Sequence, residues 1–161
     1  MKARTLAAVT LAASEPAAAL AHRAVMHGSG WRWHRSHHRP RRGGWEDNDR
    51  FPVLFAALTM GAMAFGRATG RERLVAAGAG VTGYGLLYLL VHDVGVHGRL
   101  SGGGPVLPGR WLRWLGRAHA LHHRTGRAPY GFLVPIVPPR HRAAVANLRP
   151  VDTRALAENT S

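Results

Sequence analysis

The sequence predicts an all-α integral membrane protein, a bundle of about three to four membrane helices plus an interfacial helix, with a histidine-rich di-metal site facing the cytoplasm. Two observations predict this fold. Apolar runs without charge are bounded by dense arginine, and ten of the eleven histidines fall in four short motifs on either side of a central apolar hairpin. A chain of 161 residues is expected to form one domain.

The charge distribution favours a membrane over other anionic partners. The formal net charge is +14, and 21 of the 22 basic residues are arginine, which indicates a nucleic acid or lipid headgroups as partner. Arginine is absent from residues 51–66 and 74–91 and crowds the flanking segments, a pattern typical of membrane proteins. Neither a basic helix nor an aromatic-basic stacking motif occurs, so no nucleic-acid partner is predicted. The absence of cysteine excludes intrinsic disulfides, thiolate-ligated haem and iron-sulfur clusters.

The two central apolar runs predict a transmembrane hairpin. Residues 51–66 and 74–91 are uncharged, and only residues 67–73 connect them, so the outer ends of both helices should return to one membrane face. The shorter run covers about 24 Å, less than the roughly 30 Å hydrocarbon core, and must borrow flanking residues or thin the bilayer. The alternative is a buried hairpin in a soluble helical protein, but Gly61 and the glycines of the second run, Gly78, Gly80, Gly83 and Gly85, suit membrane helix packing.

Composition leaves two interpretations open for the N-terminal run Thr5 to Ala21. Basic residues before it and the ending AAALA are compatible with a secretory signal cleaved before His22. The same run is compatible with a membrane helix, although Glu15 and Pro16 interrupt it.

The C-terminal half is predicted to contain a Gly/Pro loop at 101–108 and an amphipathic helix over 111–121 lying at the membrane surface. The domain division expected is a membrane-embedded domain over 1–139 and a mobile basic tail over 140–161.

The histidines carry the strongest functional signal. Two H-x4-H pairs and two H-x2-H-H triplets occur, and His141 lies outside them. The motif residues are His22 and His27, His34, His37 and His38, His92 and His97, and His119, His122 and His123.

Helix geometry supports the triplets directly and the pairs only with a local irregularity. Positions i, i+3 and i+4 share one face of an α-helix, whereas positions i and i+5 diverge by about 140°. The H-x4-H pairs are therefore expected at helix ends or on irregular backbone, for which Gly28, Gly95 and Gly98 give freedom. Alternatively, the two members of a pair bind different metals.

All four motifs should meet on one membrane face, because they flank a hairpin whose outer ends return to the same side. Seven arginines lie between residues 22 and 50 and nine between 97 and 149, against three in the connector. The positive-inside rule then places the histidines in the cytoplasm and the protein in the cell (inner) membrane as a multi-pass protein.

Ten imidazoles are too many for one ion, and two ions are the economical number. Imidazole suits iron, zinc, copper or nickel. No Glu-x-x-His motif occurs, so a soluble carboxylate-bridged di-iron bundle is excluded. Asp93, Glu46 and Asp49 could orient the imidazoles or could simply pair with nearby arginines.

These residues resemble the bacterial β-carotene hydroxylases, within the wider superfamily of fatty acid hydroxylases and sterol desaturases. The resemblance rests on HRAVMHGSGWRWHRSHHRPRRGGWEDND, GYGLLYLLVHDVGVHGR, AHALHH and GFLVPIVPP, and runs from about Glu15 to Pro139. The four-part histidine pattern around a hairpin is specific to the superfamily, and the HGSGW and VHDVGVH contexts point to the carotenoid branch.

The resemblance implies a non-haem di-iron monooxygenase that hydroxylates the β-ionone ring of carotenoids at carbon 3, taking β-carotene through β-cryptoxanthin to zeaxanthin. The ten clustered histidines would hold two iron ions, O2 would be the co-substrate, and reduced ferredoxin would supply electrons. The carotenoid would come from the bilayer. Residues up to His22 would be the first membrane helix, so cleavage there would destroy the first motif.

Two other functions use the same residues. Another membrane lipid, fatty acyl or sterol-like, could be the substrate of the same metal site. A metal transporter or store is a more remote alternative, because the hairpin contains no carboxylate or histidine path across the membrane.

Overall fold

The computed structural model describes residues 1–39, 45–99 and 109–148, and within these ranges the chain forms helices without any strand. The all-α prediction is confirmed for this part of the chain. The α-helices are α1 (Ala3–Ala21), α2 (Trp31–His38), α3 (Arg50–Ala68), α4 (Glu72–Tyr88), α5 (Arg110–Thr125) and α6 (Arg142–Asn147). Two π-helical segments, His22–Ser29 and Leu89–Val96, extend α1 and α4, and short 3-10 turns occupy Asp47–Asp49 and Pro139–His141.

Helices α3 and α4 form the predicted antiparallel hairpin, with residues 69–71 as the connection. The helical stretches Asp47–Ala68 and Glu72–Val96 have 22 and 25 residues, with mean hydropathies of 1.4 and 1.8 in their most apolar windows. At about 1.5 Å per residue both exceed the roughly 30 Å core of a bilayer. Only 11% and 22% of these windows are buried inside the chain, which does not fit core helices of a soluble protein. Their length, composition and exposure indicate a membrane protein.

Helix α4 lies between α1 and α3, and small residues allow both close approaches. A Cβ at Gly80 would collide with the carbonyl oxygen of Ala7 in α1, and one at Gly78 would collide with Met63 in α3. Small residues at such crossings are typical of membrane helices, which gain stability by close packing. Within the described residues, α1 is not among the helices long and apolar enough to cross a membrane by composition.

The carboxylate that interrupts the N-terminal run fastens α1 to two other parts of the chain. Glu15 accepts a hydrogen bond from the Tyr84 hydroxyl at 2.7 Å, and it accepts others from the backbone N–H groups of Leu133 and Val134 at 3.1 Å and 2.8 Å. Beyond Glu15, α1 continues without a break into His22.

Helix α5 is amphipathic, as predicted for 111–121. Leu115, Ala118 and Leu121 are buried, whereas Trp111 and Trp114 are 48% and 40% exposed. Helix α6 packs on α5 through Val145, which is buried, and the weak apolar periodicity after residue 139 did not predict it. The predicted loop 101–108 and residues 149–161 of the predicted tail lie outside the described residues, and the division at residue 139 stays a prediction.

Candidate metal centre

Both H-x4-H pairs lie on π-helical backbone. In the first segment the N–H of Gly30 donates a hydrogen bond to the carbonyl of Val25 at 2.8 Å. At the end of the second segment the N–H of His97 donates a hydrogen bond to the carbonyl of His92 at 3.0 Å. These i→i+5 hydrogen bonds place residues five positions apart on one face. The rings of His92 and His97 are accordingly 4.7 Å apart, so the irregular backbone expected at these pairs is confirmed.

The first π segment shows the same effect. The rings of His22 and His27 are 5.1 Å apart, and Gly28 departs from helical geometry with φ −102° and ψ −119°. The irregularity lets the chain turn out of α1 and begin α2 only two residues later, at Trp31. The histidines of α2 therefore lie directly against those of the first pair.

One group of histidines draws on the first π segment, α2 and α5. Its ligand nitrogens all lie within 4.8 Å of one another. We call it the first cluster, and it consists of His22, His27, His34, His38 and His122.

A second group joins α2, the second π segment and α5, and its ligand nitrogens also lie within 4.8 Å of one another. We call it the second cluster, and it consists of His37, His92, His97 and His119. His123 lies beside it, with its ring 4.4 Å from that of His119 and 4.8 Å from that of His37. Both ring nitrogens of His123 are buried and have no hydrogen-bond partner among the described residues.

Adjacent histidines divide between the clusters. His37 and His38 are neighbours on α2, and His122 and His123 are neighbours on α5, yet one member of each pair lies in the first cluster and the other at the second. Consecutive residues of an α-helix point about 100° apart, so two adjacent histidines on one helix can be ligands of two different metal sites. The rings of His38 and His123 stack at 4.5 Å, which places the clusters side by side.

Oxygen acceptors fix the orientation of four imidazoles. In each case Nδ1 lies 2.7 to 2.8 Å from an oxygen and donates to it. The pairs are His22 with the Tyr130 carbonyl, His122 with the Arg127 carbonyl, His34 with Asn48 Oδ1, and His92 with Asp93 Oδ1. A neutral imidazole that donates from Nδ1 has a free lone pair at Nε2, which is the atom that a metal takes.

These lone pairs face one another. Nε2 of His22 lies 3.0 Å from Nε2 of His34, although both rings donate from Nδ1. Two bare lone pairs at this distance repel unless a cation lies between or beside them. Metal–imidazole bonds of about 2.1 Å place opposite ligands about 4.2 Å apart, which fits clusters whose ligand nitrogens all lie within 4.8 Å of one another.

The protonation state also suits metal ligation. Burial is the largest cause that lowers the pKa of His27 to about 4, of His34 to about 3 and of His122 to about 2. Repulsion between neighbouring imidazolium groups lowers these pKa values further. These three histidines are therefore neutral at pH 7, and neutral imidazole is the form that binds metals.

The three carboxylates expected near the site have different surroundings. Asp93 accepts from His92 and lies 3.8 Å from Arg99. Glu46 Oε2 lies 3.7 Å from Nδ1 of His37, longer than a hydrogen bond, and burial raises the pKa of Glu46 to about 7. Asp49 accepts two hydrogen bonds from Arg99.

Aromatic side chains enclose the histidines. Phe132 is buried, stacks on His22 at 4.7 Å and lies 5.1 Å from His92, so it touches both clusters. Trp31 packs against the first cluster, 5.3 Å from the rings of His27 and His38. These rings limit the access of water to the site.

Sequence reasoning missed several of these groups. Asn48 lies between the carboxylates of the EDND segment, and its contact with His34 arises only in the fold. Arg127 and Tyr130 act through backbone carbonyls, for which no side-chain signal exists. Phe132 lies in the GFLVPIVPP motif, which carried the resemblance but received no role.

Two buried sets of neutral imidazoles, placed side by side and enclosed by aromatics, can hold two transition-metal ions and exclude bulk water from them. Transition metals bound by imidazole support redox chemistry with dioxygen when coordination positions remain open. His141 belongs to neither cluster, and its ring Nε2 accepts a hydrogen bond from Nε of Arg140 at 3.1 Å.

Comparison with known proteins agrees with this geometry. The fatty acid hydroxylase family profile matches residues 7–138. A β-carotene hydroxylase of Pantoea ananas is 46% identical over 130 residues, which cover 78% of this chain and 73% of the relative. One of Pseudescherichia vulneris is 45% identical over 135 residues, covering 78% and 72%.

More distant similarity extends to plants. The chloroplastic β-carotene 3-hydroxylase 1 of Arabidopsis thaliana is 40% identical over 119 residues, which cover 71% of this chain and 38% of the relative. No solved structure matches the chain. The profile match and the identity to the bacterial relatives show that this chain belongs to the fatty acid hydroxylase family.

Proposed function

We propose that the chain is a carotenoid hydroxylase that uses O2 to hydroxylate carbon 3 of the β-ionone ring, converting β-carotene to β-cryptoxanthin and zeaxanthin. The observation that carries the proposal is the pair of adjacent histidine clusters with lone pairs facing one another. The bacterial relatives at 45% and 46% identity are named β-carotene hydroxylases, which supports the carotenoid over an acyl or sterol substrate.

The metal ions are two irons, and the ten motif histidines are their ligands. The first cluster holds one ion, and the second cluster together with His123 holds the other. The unpartnered ring nitrogens of His123 and the unpartnered Nε2 of His37 support this division. When bound, the iron pair supplies the activation of O2 that attack on an unactivated C–H bond needs.

The chain's own contribution is positioning and exclusion of water. Acceptors on Nδ1 hold His22, His34, His92 and His122 in the tautomer that binds metal, and such partners raise ligand basicity. Asp93 and the Arg99–Asp49 pair orient the second cluster from behind His92. Phe132 and Trp31 keep the surroundings apolar, which protects a strong oxidant from reaction with water.

The site lies at the cytoplasmic end of the membrane helices. Helices α1, α3 and α4 cross the cell membrane, and α5 lies along its surface. The packing of α1 along α4 supports the third span, and the arginine counts support the orientation. A carotenoid can then reach the histidines from the lipid without crossing water.

Reduced ferredoxin delivers electrons at the arginine-rich cytoplasmic surface. Arg110, Arg113 and Arg117 line a depression of about 340 Å³ beside Trp114 on α5. A positive surface attracts an acidic partner and raises its rate of association.

Expression of the chain in a β-carotene-producing bacterium tests the activity. The pigments expected on chromatography are β-cryptoxanthin and zeaxanthin. Unchanged β-carotene, together with hydroxylated fatty acids or sterols in lipid-supplemented cultures, would show that the enzyme uses the metal site on a different substrate. Unchanged β-carotene with no hydroxylated lipid would contradict the enzyme assignment.

A further inference from the structure

A cavity of about 510 Å³ lies beside the first cluster, between the last turns of α1 and the segment 128–136. Its lining from α1 includes Ala19 and Leu20, and its lining from the segment includes Tyr130, Val134 and Ile136. The volume falls in the range of about 300 to 1,000 Å³ typical of small-molecule sites, which are mostly apolar with a few polar groups.

Tyr130 connects this cavity with the histidines. It lines the cavity, and its ring lies 5.4 Å from the rings of His27 and His122 and 5.6 Å from that of His22. Its carbonyl also accepts the hydrogen bond from His22. A molecule that contacts Tyr130 in the cavity is therefore next to three histidines of the first cluster.

The cavity opens onto a surface suited to lipid. Leu20 and Val134 are each 65% exposed, and Ile136 is 83% exposed. Large apolar side chains this exposed and this close together on one face indicate contact with hydrocarbon. An apolar molecule dissolved in the bilayer can enter here without passing through water.

The polar groups of the cavity do not oppose an apolar guest. Glu15 lines it, but its two oxygens already accept hydrogen bonds from the Tyr84 hydroxyl and from the backbone of Leu133 and Val134. These bonds also hold the segment 131–134 against α1 and α4. Arg23, the other charged residue of the lining, is exposed and can keep its guanidinium in water.

We propose that this cavity binds the cyclic end group of the carotenoid as it enters from the bilayer, with Tyr130 at the inner end of the cavity, next to the first cluster. The proposal rests on the proposed function and adds the place where the substrate binds and the direction from which it enters. An apolar ring of branched hydrocarbon fits an apolar cavity that opens to lipid, and the polyene chain can remain in the bilayer while the ring is held.

Filling the cavity tests the proposal. Ala19→Trp places a large side chain in the lining, and Ala13→Trp, on an exposed position of the same helix outside the lining, is the matched control. With purified, iron-loaded enzyme in detergent, Ala19→Trp should raise KM for β-carotene by about tenfold or more. It should also reduce the β-carotene retained per chain, measured by absorbance. Bound iron should stay at the level of the unmodified chain, and Ala13→Trp should match that chain throughout.

A second, milder variant tests the same cavity in case Ala19→Trp does not fold. Ile136→Ala removes an exposed part of the lining and should raise KM several-fold with iron unchanged. If Ala19→Trp and Ile136→Ala both keep the KM and carotenoid retention of the unmodified chain, the ring binds elsewhere. If Ala13→Trp raised KM and reduced carotenoid retention as much as Ala19→Trp does, the cavity would not be the binding site. Failure of the unmodified chain to hydroxylate β-carotene would instead contradict the proposed function.

Discussion

Arg99 donates two hydrogen bonds to the carboxylate of Asp49, at 2.5 Å and 2.7 Å, and so joins the two parts of the chain that flank the hairpin. Asp49 precedes α3, and Arg99 follows the second π segment. Each lies close to residues that contact a histidine: Asn48 contacts His34, and Asp93 contacts His92. The pair therefore holds the supports of both clusters together.

Arg99→Gln should weaken metal binding, most strongly at the second cluster. Loss of the guanidinium leaves the carboxylates of Asp49 and Asp93 without this cation, and removal of such supporting groups costs about 10- to 100-fold in metal affinity. The measurement is iron per chain after dialysis against a weak chelator.

Arg50→Gln is the control, because Arg50 pairs with Asp47 at 3.1 Å on the exposed surface nearby. Exposed ion pairs contribute about 0 to 1 kcal/mol to stability, so this variant should retain its iron. If Arg99→Gln retained as much iron as Arg50→Gln, the Arg99–Asp49 pair would not support the metal clusters.

Two metal ions should bind per chain in the membrane fraction. His38→Ala and His123→Ala should each abolish hydroxylation and reduce the bound iron toward one ion, since they remove ligands of different sites. His141→Ala, outside both clusters, should keep activity and iron. Elemental analysis of the purified variants checks the stoichiometry, and one ion or none in the iron-replete unmodified chain would refute the two-site assignment.

The sequence predicted the hairpin and the grouping of the histidines for physical reasons that act locally. Charge is excluded from hydrocarbon, so residues 51–66 and 74–91 were visible as helices. The i→i+5 spacing of His92 and His97 is incompatible with a regular α-helix, so a backbone irregularity could be expected there. Its form, a π segment, depends on the packing around it.

The division of histidines between the clusters could not be predicted from the sequence. Neighbours such as His37 and His38 belong to different clusters because of the way α2 lies against α5, which only the fold determines. The same holds for the role of Asn48, which depends on a contact between residues 14 positions apart. Glu15 appeared in the sequence as an interruption of an apolar run. Only the fold reveals the hydrogen bonds from Tyr84 and from the 131–134 segment that account for it.

Gly80→Ala should destabilise the protein, whereas Gly85→Ala should not. A Cβ at Gly80 would meet the backbone of α1, while one at Gly85 meets nothing within 4 Å. Overpacking of this kind costs about 1 to 3 kcal/mol, and displacement of α1 would also move His22. Thermal unfolding in detergent should show a lower Tm and less bound iron for Gly80→Ala only; matching behaviour of the two variants would refute the close crossing of α1 and α4.

Electron delivery from ferredoxin should weaken as ionic strength rises, because screening reduces attraction between a basic surface and an acidic partner. Arg110→Gln and Arg113→Gln should raise the KM for ferredoxin without loss of iron. Arg73→Gln removes an exposed charge at the connector end of α4 and serves as the control. Turnover that is insensitive to salt and to both substitutions on α5 would place the docking surface elsewhere.

The last prediction concerns topology, because a shared site requires every motif on one membrane face. Accessibility tags at Gly43 and Gly103, which lie outside the described residues, should report the cytoplasm, and a tag at Thr69 in the connector should report the opposite side. Seven and nine arginines in the flanking segments against three in the connector set this orientation.

Helix α1 then starts on the side of Thr69, and Lys2 and Arg4 oppose that placement only weakly because the larger clusters dominate. If tags at Gly43 and Gly103 were found on opposite sides, a bilayer would separate the histidines of α2 from those of α5. His38 and His123 could not then stack at 4.5 Å, no di-metal centre could be shared between the two helices, and the hydroxylase assignment would fail with it.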